Sequence, residues 1–438
     1  MSGYDFEERS EVKWTEPGLQ SLFRHRAPKS NKLRQYEARV RELAAAGAFV
    51  ESIRSFAPDL LELISEPRTL VDAWTYLAAH GGQAPGPDRR RYCDYSRSEV
   101  WALCKMLSVV IRDGSYRPHP EKLKQIPKTS GTGVRTLVLQ NVADRVVQRA
   151  AFVVLQPLFE PLFVPESFGF RPRRGPLHAV AFAEHITLEE SRTVWLAHDI
   201  RDAYGHVSIA CLLGLLRSYL PCDELMVFLE RIITSSKVSG LRQGGPLSPL
   251  MLNVYLHHLL DLPWRGVGVP GVVLVRFADD LRCLCRDIDT AKASDEALRR
   301  ILRPTGMEVK GSIEEAVCDL GRGAADKFLG FQVTLEDGEL CKRIPTPSWQ
   351  QLQRRLSLAH EKHDSQLRAD LIVRGWLGSK GPSYPHCDPL KTCLKIHHIA
   401  RDFAFEEVTN IEDLNRIWLQ AYETWLNLRA QASTRKSA

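Results

Sequence analysis

The chain has 438 residues, which is more than one simple core needs and predicts two or three subdomains. Its hydrophobic fraction of 44% and charged fraction of 26% are typical of a soluble globular protein. No segment reaches the roughly 18 unbroken apolar residues of a membrane span, and the polar, acidic amino terminus is unlike a secretory signal. We therefore expect a cytoplasmic protein without a membrane partner.

Charge and cysteine content add two weaker indications. The net charge of +6 is compatible with a polyanionic partner, and basic residues concentrate at residues 24–34 and 89–91, where they either meet phosphates or form a solvated surface. None of the ten cysteines forms a CxxC pair, and the cysteines and histidines of residues 386–398 have a spacing that fits no common zinc module. We predict reduced, mostly buried thiols.

The first part of the chain alternates helical segments with one hairpin. Residues 1–65 predict a basic helical extension, and the glycine- and proline-rich residues 81–88 predict a loop. Residues 123–128 and 134–139 flank a glycine-containing turn, which predicts a β-hairpin. Residues 143–160 carry apolar side chains at helical spacing and predict a buried helix.

The middle of the chain predicts an α+β fold with helices packed on an antiparallel sheet. The apolar strand 194–200 ends in a carboxylate, and a helical pattern follows through Tyr219. The remaining predicted elements are a glycine-rich loop at 239–249 that opens a helix to about Leu260, strands at 272–277 and 281–285, a helix at 288–303, and a strand at 328–333. After about residue 345 the pattern is helical, with one apolar face formed by Trp349, Leu352, Leu356 and Ala359.

Three aspartates stand where they could share a divalent cation. Asp199 ends one predicted strand, and Asp279 and Asp280 occupy the tight turn between two others. Adjacent carboxylates repel one another unless cations neutralise them, and Mg²⁺ prefers carboxylate and phosphate oxygens. Two such ions stabilise the attacking and leaving oxygens of an in-line displacement, the chemistry that adds a nucleotide to a 3′-hydroxyl. A solvated turn is the alternative interpretation of the Asp-Asp pair taken alone.

The motifs around these acids resemble those of reverse transcriptases. Residues 277–280, Phe-Ala-Asp-Asp, resemble the (Y/F)xDD motif, and the stretch that begins at Asp199 resembles motif A. Residues 243–249, Gln-Gly-Gly-Pro-Leu-Ser-Pro, are similar to motif B. Residues 167–172, Ser-Phe-Gly-Phe-Arg-Pro, resemble the group II intron-like bacterial lineage, as do residues 84–88. The motifs keep the order of the family from about residue 66 to 376.

The resemblance implies a right-hand polymerase fold with fingers, a palm whose antiparallel sheet bears the 277–280 hairpin, and a helical thumb. Residues 1–65 would be a helical basic extension and residues 66–198 the fingers with the start of the palm. Residues 199–340 would form the catalytic palm, and residues 341–438 the helical thumb and carboxy-terminal segment.

The resemblance also implies a role for individual residues. Asp199, Asp279 and Asp280 would be the catalytic acids and would bind two Mg²⁺ ions, for which Mn²⁺ could substitute, together with the Ile200 backbone carbonyl. The residues implied to bind the incoming dNTP are Lys128 and Arg135 at its triphosphate, Gln243 and Gly244 in its pocket, and Tyr204 as the aromatic gate that collides with a ribose 2′-hydroxyl.

The sequence departs from the lineage in the region of the expected proton donor. The lysine that would protonate the leaving pyrophosphate aligns with Ile313, and Lys310 is displaced from that position by three residues. Lys310 is therefore only a candidate for the general acid. Phe277 also replaces the commoner tyrosine of the (Y/F)xDD motif, which is a mild change.

The resemblance implies partners but leaves the biological setting open. The partners would be an RNA template, dNTPs and a cDNA product; the oligomeric state and the primer are not indicated. We expect a stand-alone enzyme that copies a dedicated noncoding RNA in bacterial antiphage defence. The alternatives are a retron or repair-type reverse transcriptase, an RNA-directed RNA polymerase or template-independent nucleotidyltransferase, and an RNA-binding scaffold with a vestigial palm.

Overall fold

The computed structural model describes residues 30–47, 49–127, 134–235, 237–360, 364–408 and 410–434. The chain divides into two compact units, each made of three segments. The first unit comprises Met1–Val164, Asp202–Leu259 and Thr305–Met307, and the second comprises Pro165–Arg201, Leu260–Pro304 and Glu308–Ala438. Within the described ranges, no helix is both long enough and apolar enough to cross a membrane.

Helices and short strands alternate along the described chain. The helices are α1 (Asn31–Ala45), α2 (Phe49–Ser52), α3 (Ala57–Ser65), α4 (Pro67–His80), α5 (Arg97–Arg112), α6 (Val142–Phe159), α7 (Pro176–Glu189), α8 (Ile209–Tyr219), α9 (Asp223–Ile233), α10 (Ser248–Leu256), α11 (Leu262–Val267), α12 (Ile288–Leu302), α13 (Ile313–Ala316), α14 (Thr346–Ala359), α15 (Ser365–Gly378), α16 (Pro389–Asp402) and α17 (Ile411–Thr434). The strands are β1 (Lys122–Pro127), β2 (Val134–Leu139), β3 (Val194–Asp199), β4 (Val273–Phe277), β5 (Asp280–Cys285), β6 (Val317–Asp319), β7 (Asp326–Phe328), β8 (Phe331–Glu336) and β9 (Glu339–Arg343).

In the first unit, α6 is the central helix, and the predicted buried helix at 143–160 is confirmed. Its side chains Val146, Val147 and Ala150 are fully buried, and α3 and α4 pack against it. Because most of the surface of α6 is buried, the polar side chains of this helix also require hydrogen-bond partners. Asp144 accepts a hydrogen bond of 2.7 Å from the hydroxyl of Tyr116 for this reason.

The predicted hairpin is confirmed as an antiparallel pair of β1 and β2. Its register runs from Lys122 opposite Leu139 to Pro127 opposite Val134. Residues 128–133, and with them Lys128, lie outside the described residues. The backbone N–H of Val138 donates a hydrogen bond of 3.1 Å to the carbonyl of Gln243, so the hairpin also holds the glycine-rich loop that precedes α10.

In the second unit, an antiparallel sheet with strand order β4-β5-β3-β6 carries packed helices, as predicted, and the helices lie on both of its faces. Side chains of a strand alternate between the faces, so Trp195 and His198 on β3 point to opposite sides. Trp195 Nε1 donates to Thr187 Oγ1 of α7 at 3.0 Å. On the other face, His198 Nε2 lies 2.6 Å from Asp295 Oδ1 of α12.

The prediction of one strand at residues 328–333 was wrong. The segment is a hairpin in which β7 and β8 pair antiparallel, with Phe328 opposite Phe331. Leu329 and Gly330 form the turn with φ values of 46° and 89°, and two successive positive φ values match the twist of a two-residue β-turn. Strand β9 then pairs with β8 to complete a three-stranded sheet that the sequence pattern did not predict.

The helices after residue 345 enclose a second apolar core within the second unit. Leu352, Leu356 and Ala359 of α14 are buried as predicted, and Trp349 is partly buried against the same core. The other helices contribute large apolar side chains, among them Val373, Trp376, Ile396 and Trp418. This packing stabilises α14 because an isolated helix of that length is marginal in water.

Truncation of the apolar face of α14 tests this core. Leu356→Ala removes a fully buried side chain and should lower the free energy of unfolding by about 2–5 kcal/mol. Leu358→Ala is the matched control on the same helix, because Leu358 is 47% exposed and its loss should change stability by less than about 0.5 kcal/mol. Urea unfolding followed by tryptophan fluorescence measures both values, and equal losses would contradict the packing.

Candidate active site

The register of β3 against β5 brings the predicted catalytic acids together. Asp199 and Asp280 are directly opposite Cα partners in this antiparallel pair. The backbone N–H of Ile200 donates a hydrogen bond of 2.9 Å to the carbonyl of Asp279. Because directly opposite residues in such a pair lie about 4.5–5.5 Å apart at Cα, the three aspartates share one end of the sheet.

The segment that precedes α13 lies beside Asp199 and supplies a cation. The backbone N–H of Lys310 donates to the Asp199 carbonyl at 2.9 Å, and Val309 forms a single antiparallel bridge with Ile200. The Lys310 ammonium forms an ion pair with Asp199 Oδ1, and both side chains are nearly half exposed. The candidate proton donor is therefore in contact with a predicted catalytic acid, whereas Ile313 begins α13.

An open cleft of about 460 Å³ lies at this end of the sheet. Asp199, Asp280, Arg282, Lys310 and Glu315 are among the residues that line it. Burial raises the pKa of Asp280 to about 6, against the lowering effect of the Arg282 guanidinium, and the charges of Asp326 and Asp199 raise the pKa further. The cleft is thus a place where negative charge is concentrated and only partly compensated.

The turn that carries Asp279 and Asp280 is held by a buried arginine. Ala278 adopts a φ of 58°, which is uncommon for a residue with a side chain. Arg276 Nη1 donates to the Ala278 carbonyl at 3.1 Å. Its other guanidinium nitrogens, Nε and Nη2, donate to the two carboxylate oxygens of Asp261 at 2.8 and 2.6 Å. Arg276 and Asp261 are almost fully buried, so this two-pronged ion pair is a fixed support.

Residues 166–169 brace the same turn from its other side. The backbone N–H of Arg276 donates to the Glu166 carbonyl at 3.0 Å, and that of Phe168 donates to the Arg276 carbonyl at 2.8 Å. A Cβ atom at Gly169 would lie 2.3 Å from the backbone nitrogen of Ala278. The glycine of the Ser-Phe-Gly-Phe run is therefore required by a close approach to the backbone of the turn.

Apart from Lys128, which lies outside the described residues, the residues predicted to bind a nucleotide lie in the first unit. Arg135 is exposed on β2, and Tyr204 is partly buried in the turn before α8. The Leu241 N–H donates to the Tyr204 carbonyl at 2.8 Å. Gly244, next to Gln243, has a φ of 101°. This unit therefore gathers Tyr204, the glycine-rich loop and strand β2 in one region.

A buried ion pair that sequence reasoning missed anchors the glycine-rich loop. Arg242 precedes Gln243 and forms an ion pair with Glu121, with both side chains almost fully buried. The Arg242 guanidinium also donates to the carbonyls of Ile232 and Ile233 at 2.5 and 2.7 Å. For the buried ion pairs of the second unit, by contrast, the sequence did contain a signal. Arg276 and Arg282 interrupt apolar strands, and an arginine that is buried requires polar partners.

The chemistry of the donor set at the sheet end fits a hard divalent cation. Aspartate carboxylates and a backbone carbonyl are the oxygen ligands that Mg²⁺ prefers. Among the described residues, no three His, Cys, Asp or Glu side chains converge closely enough to hold a metal ion. Two protein cations, Lys310 and Arg282, instead contact the carboxylates of Asp199 and Asp280.

Residues 126–332 match the family model described as "Reverse transcriptase (RNA-dependent DNA polymerase)". Protein YkfC of Escherichia coli strain K12 is 29% identical over 234 residues, which are 50% of this chain and 59% of YkfC. Group II intron-encoded protein LtrA of Lactococcus lactis subsp. cremoris is 28% identical over 159 residues, 34% of this chain and 26% of LtrA. The chain thus spans less than two thirds of either relative. A telomerase structure from Candida albicans matches 72% of this chain and 62% of its own chain at 12% identity, with a TM-score of 0.40, too low to support an argument about the fold.

Substitution of Gly169 tests the bracing of the turn. Gly169→Ala forces a Cβ against the Ala278 backbone and should destabilise the protein by about 1–3 kcal/mol, the usual cost of overpacking. Gly266→Ala in α11 is the control, because nothing lies within 4 Å of the position that the added methyl carbon would take and alanine favours a helix. Thermal unfolding measures both, and a Gly169→Ala protein as stable as the Gly266→Ala protein would refute the close approach.

Proposed function

We propose that this chain, which contains a reverse transcriptase domain related to group II intron-encoded proteins, is an RNA-directed DNA polymerase. The family match confirms the resemblance that its motifs predicted and supports this activity. The observation that carries the proposal is the β3–β5 register, which places Asp199 opposite Asp280 and joins Ile200 to Asp279. Three carboxylates at one end of a sheet repel one another, which disfavours a purely structural role. Beside an open cleft, the same groups suit nucleotide addition to a 3′-hydroxyl.

Asp199, Asp279 and Asp280, with the Ile200 carbonyl, would hold two Mg²⁺ ions, and Mn²⁺ would serve as a substitute. When bound, the two ions supply electrostatic stabilisation of the attacking and leaving oxygens. The protein's own part is to present the carboxylates of Asp199 and Asp280 at the cleft and to keep the backbone of the turn at Asp279 and Asp280 rigid through the Arg276–Asp261 support. Lys310 pairs with Asp199 and would have to give up this contact for a cation to be bound by that carboxylate.

The incoming dNTP would be held by residues of the first unit. Lys128 and Arg135 would bind the triphosphate, and the planar guanidinium of Arg135 suits two-pronged contact with phosphate oxygens. Gln243 and Gly244 would line the nucleotide pocket, because a glycine leaves room for the substrate. Tyr204 would exclude a ribose 2′-hydroxyl and so select dNTPs over NTPs.

We assign the polymerase subdomains as the resemblance implies. Residues 66–198 would contain the fingers with the start of the palm, residues 199–340 the palm, and residues 341–438 the thumb. Residues 1–65 would form a basic extension. The four-stranded antiparallel sheet with its acids at one end supports the palm assignment, and the helical core of α14–α17 supports the thumb.

The template we propose is a dedicated noncoding RNA, copied in bacterial antiphage defence. The resemblance of residues 84–88 and 167–172 to the group II intron-like lineage fits this setting, and the retron and repair-type alternatives share it. Purification of the chain with its bound nucleic acid, followed by sequencing of RNA and cDNA, tests the template. One abundant RNA species with matching cDNA is expected, and the absence of co-purifying RNA would contradict this choice.

The polymerase activity is tested by primer extension on an RNA template. The wild type with Mg²⁺ should extend a DNA primer with dNTPs, and Asp199→Asn and Asp279→Asn should each lower kcat by at least about a thousandfold, since a lost catalytic ligand removes several kcal/mol of transition-state stabilisation. Asp337→Asn, in the exposed β8–β9 turn, is the control and should keep wild-type activity. Products made only from NTPs, or full activity of both active-site variants, would refute the proposal.

The sugar selectivity proposed for Tyr204 is tested by a smaller side chain. Tyr204→Val should raise the ratio of NTP to dNTP incorporation by about tenfold or more, because a steric clash with the 2′-hydroxyl is relieved. The Tyr204 backbone contact with Leu241 does not depend on the side chain, so the loop should persist. The control is Tyr76→Val at an exposed position of α4. An unchanged ratio in Tyr204→Val would show that Tyr204 packs without gating.

A further inference from the structure

Arg282 on β5 is a buried cation held by several partners at once. Its Nη1 contacts Asp280 Oδ1, and its Nε donates to Asp326 Oδ2 at 2.8 Å. Nη2 donates to the Lys327 carbonyl at 2.9 Å, and Nη1 also donates to the Leu281 carbonyl at 2.9 Å. The side chain is only 7% exposed, and its guanidinium carbon lies 5.1 Å from the centre of the Phe328 ring.

The position of Arg282 follows from strand geometry. Arg282 and Asp280 are two residues apart on β5, so their side chains point to the same face of the sheet. Asp326 begins β7, the first strand of the separate three-stranded sheet. The guanidinium therefore connects one of the proposed catalytic acids to a second sheet of the same unit, and it does so through contacts of fixed geometry.

The two cations at the acids differ in how firmly they are held. The side chain of Lys310 is 46% exposed and forms an ion pair with Asp199. Arg282 has lost most of its contact with water and is bound by two carboxylates and two carbonyls. A flexible lysine can leave its carboxylate, whereas a buried arginine held by four contacts with carboxylate and carbonyl oxygens stays in place.

We propose that Arg282, anchored by Asp326, is a positioning residue that fixes the carboxylate of Asp280 in the orientation used for cation binding and nucleotide addition. This inference rests on the proposed function. Arg282 acts through Asp280 and need not touch the substrate. Partners that orient metal-binding groups commonly change metal affinity or activity by about tenfold to a hundredfold when they are removed.

Arg282 could act through its charge alone or through its orientation of Asp280, and the two roles predict opposite changes in cation affinity when Arg282 is removed. Removal of a positive charge beside the acids should by itself strengthen the attraction for a divalent cation, because Coulomb repulsion is relieved. Loss of orientation should weaken cation binding, because Asp280 and Asp326 then repel one another and Asp280 loses the guanidinium that holds its carboxylate, whereas Asp326 keeps only the Lys327 backbone N–H at 2.8 Å. The sign of the change in affinity therefore separates the two roles.

The experiment measures Mn²⁺ binding by electron paramagnetic resonance and primer extension on an RNA template with the full chain. Arg282→Met should raise the Kd for Mn²⁺ about tenfold and lower kcat at least about tenfold, with the dNTP KM within about twofold of the wild type. Arg282→Lys, which keeps one ionic contact, should recover part of both losses. Asp326→Asn should also raise the Kd for Mn²⁺ and lower kcat, but by smaller factors. If Arg282→Met does not fold, the Asp326→Asn variant tests the positioning role in its place.

The control is Arg343→Met, which removes an arginine bound by both carboxylate oxygens of Glu336 in the same three-stranded sheet. It should match the wild type in Mn²⁺ affinity and kcat. If Arg282→Met binds Mn²⁺ as tightly as the wild type or more tightly, with unchanged kcat, the positioning role of Arg282 is overturned and the proposed function still stands. A wild type that neither binds Mn²⁺ nor extends the primer would overturn the proposed function, and the inference with it.

Discussion

The pairing of β3 with β5 is the constraint on which the candidate site depends. Its register sets Asp199 against Asp280 and hydrogen-bonds Ile200 to Asp279, so one end of a buried sheet carries three carboxylates. A shift of the register by one residue would send every side chain of a strand to the opposite face. The apolar residues of β3 and β5, packed between α7 and α12, oppose such a shift and thereby hold the acids in place.

Concentrated negative charge has an electrostatic cost, and much of the surrounding structure offsets it. Arg282 joins Asp280 to Asp326, and Lys310 contacts Asp199. Arg276 contributes differently, because its contact with Asp261 and the Ala278 carbonyl stiffens the backbone of the turn. Rigid placement of charged groups is what electrostatic catalysis requires, since the groups then need no reorganisation during the reaction.

Much of this arrangement could be predicted from the sequence, because it follows from short-range patterns. The apolar runs of β3, β4 and β5 and the tight turn at Asp279 are local signals, and the motifs around them led to the reverse transcriptase resemblance. The helical spacing of the apolar residues and the length of the apolar pattern were enough to predict the buried helix α6 and the apolar face of α14. The ends of the helices and strands that were predicted lie within a few residues of those observed, except at Phe328, where one predicted strand proved to be a hairpin.

The rest depends on contacts between residues far apart in the sequence. Nothing local indicates that Arg276 pairs with Asp261 or that Arg282 pairs with Asp326, which is 44 residues away. The turn at Leu329 and Gly330 was missed because Leu329 adopts a positive φ that apolar residues rarely adopt. The close approach of Gly169 to Ala278 likewise explains a motif residue only once both backbones are placed.

The cation binding that we propose for Asp199, Asp279 and Asp280 at the sheet end can be tested directly by affinity cleavage. Fe²⁺ that replaces Mg²⁺ reduces added hydrogen peroxide to hydroxide and a hydroxyl radical, which cleaves the polypeptide near the place where the ion binds. Mass spectrometry of the fragments locates the cuts. We expect cleavage close to residues 199–200 and 279–280, suppressed by excess Mg²⁺ and abolished in Asp199→Asn. Cleavage confined to other segments, or cuts at these positions that Mg²⁺ does not suppress, would contradict cation binding by these acids.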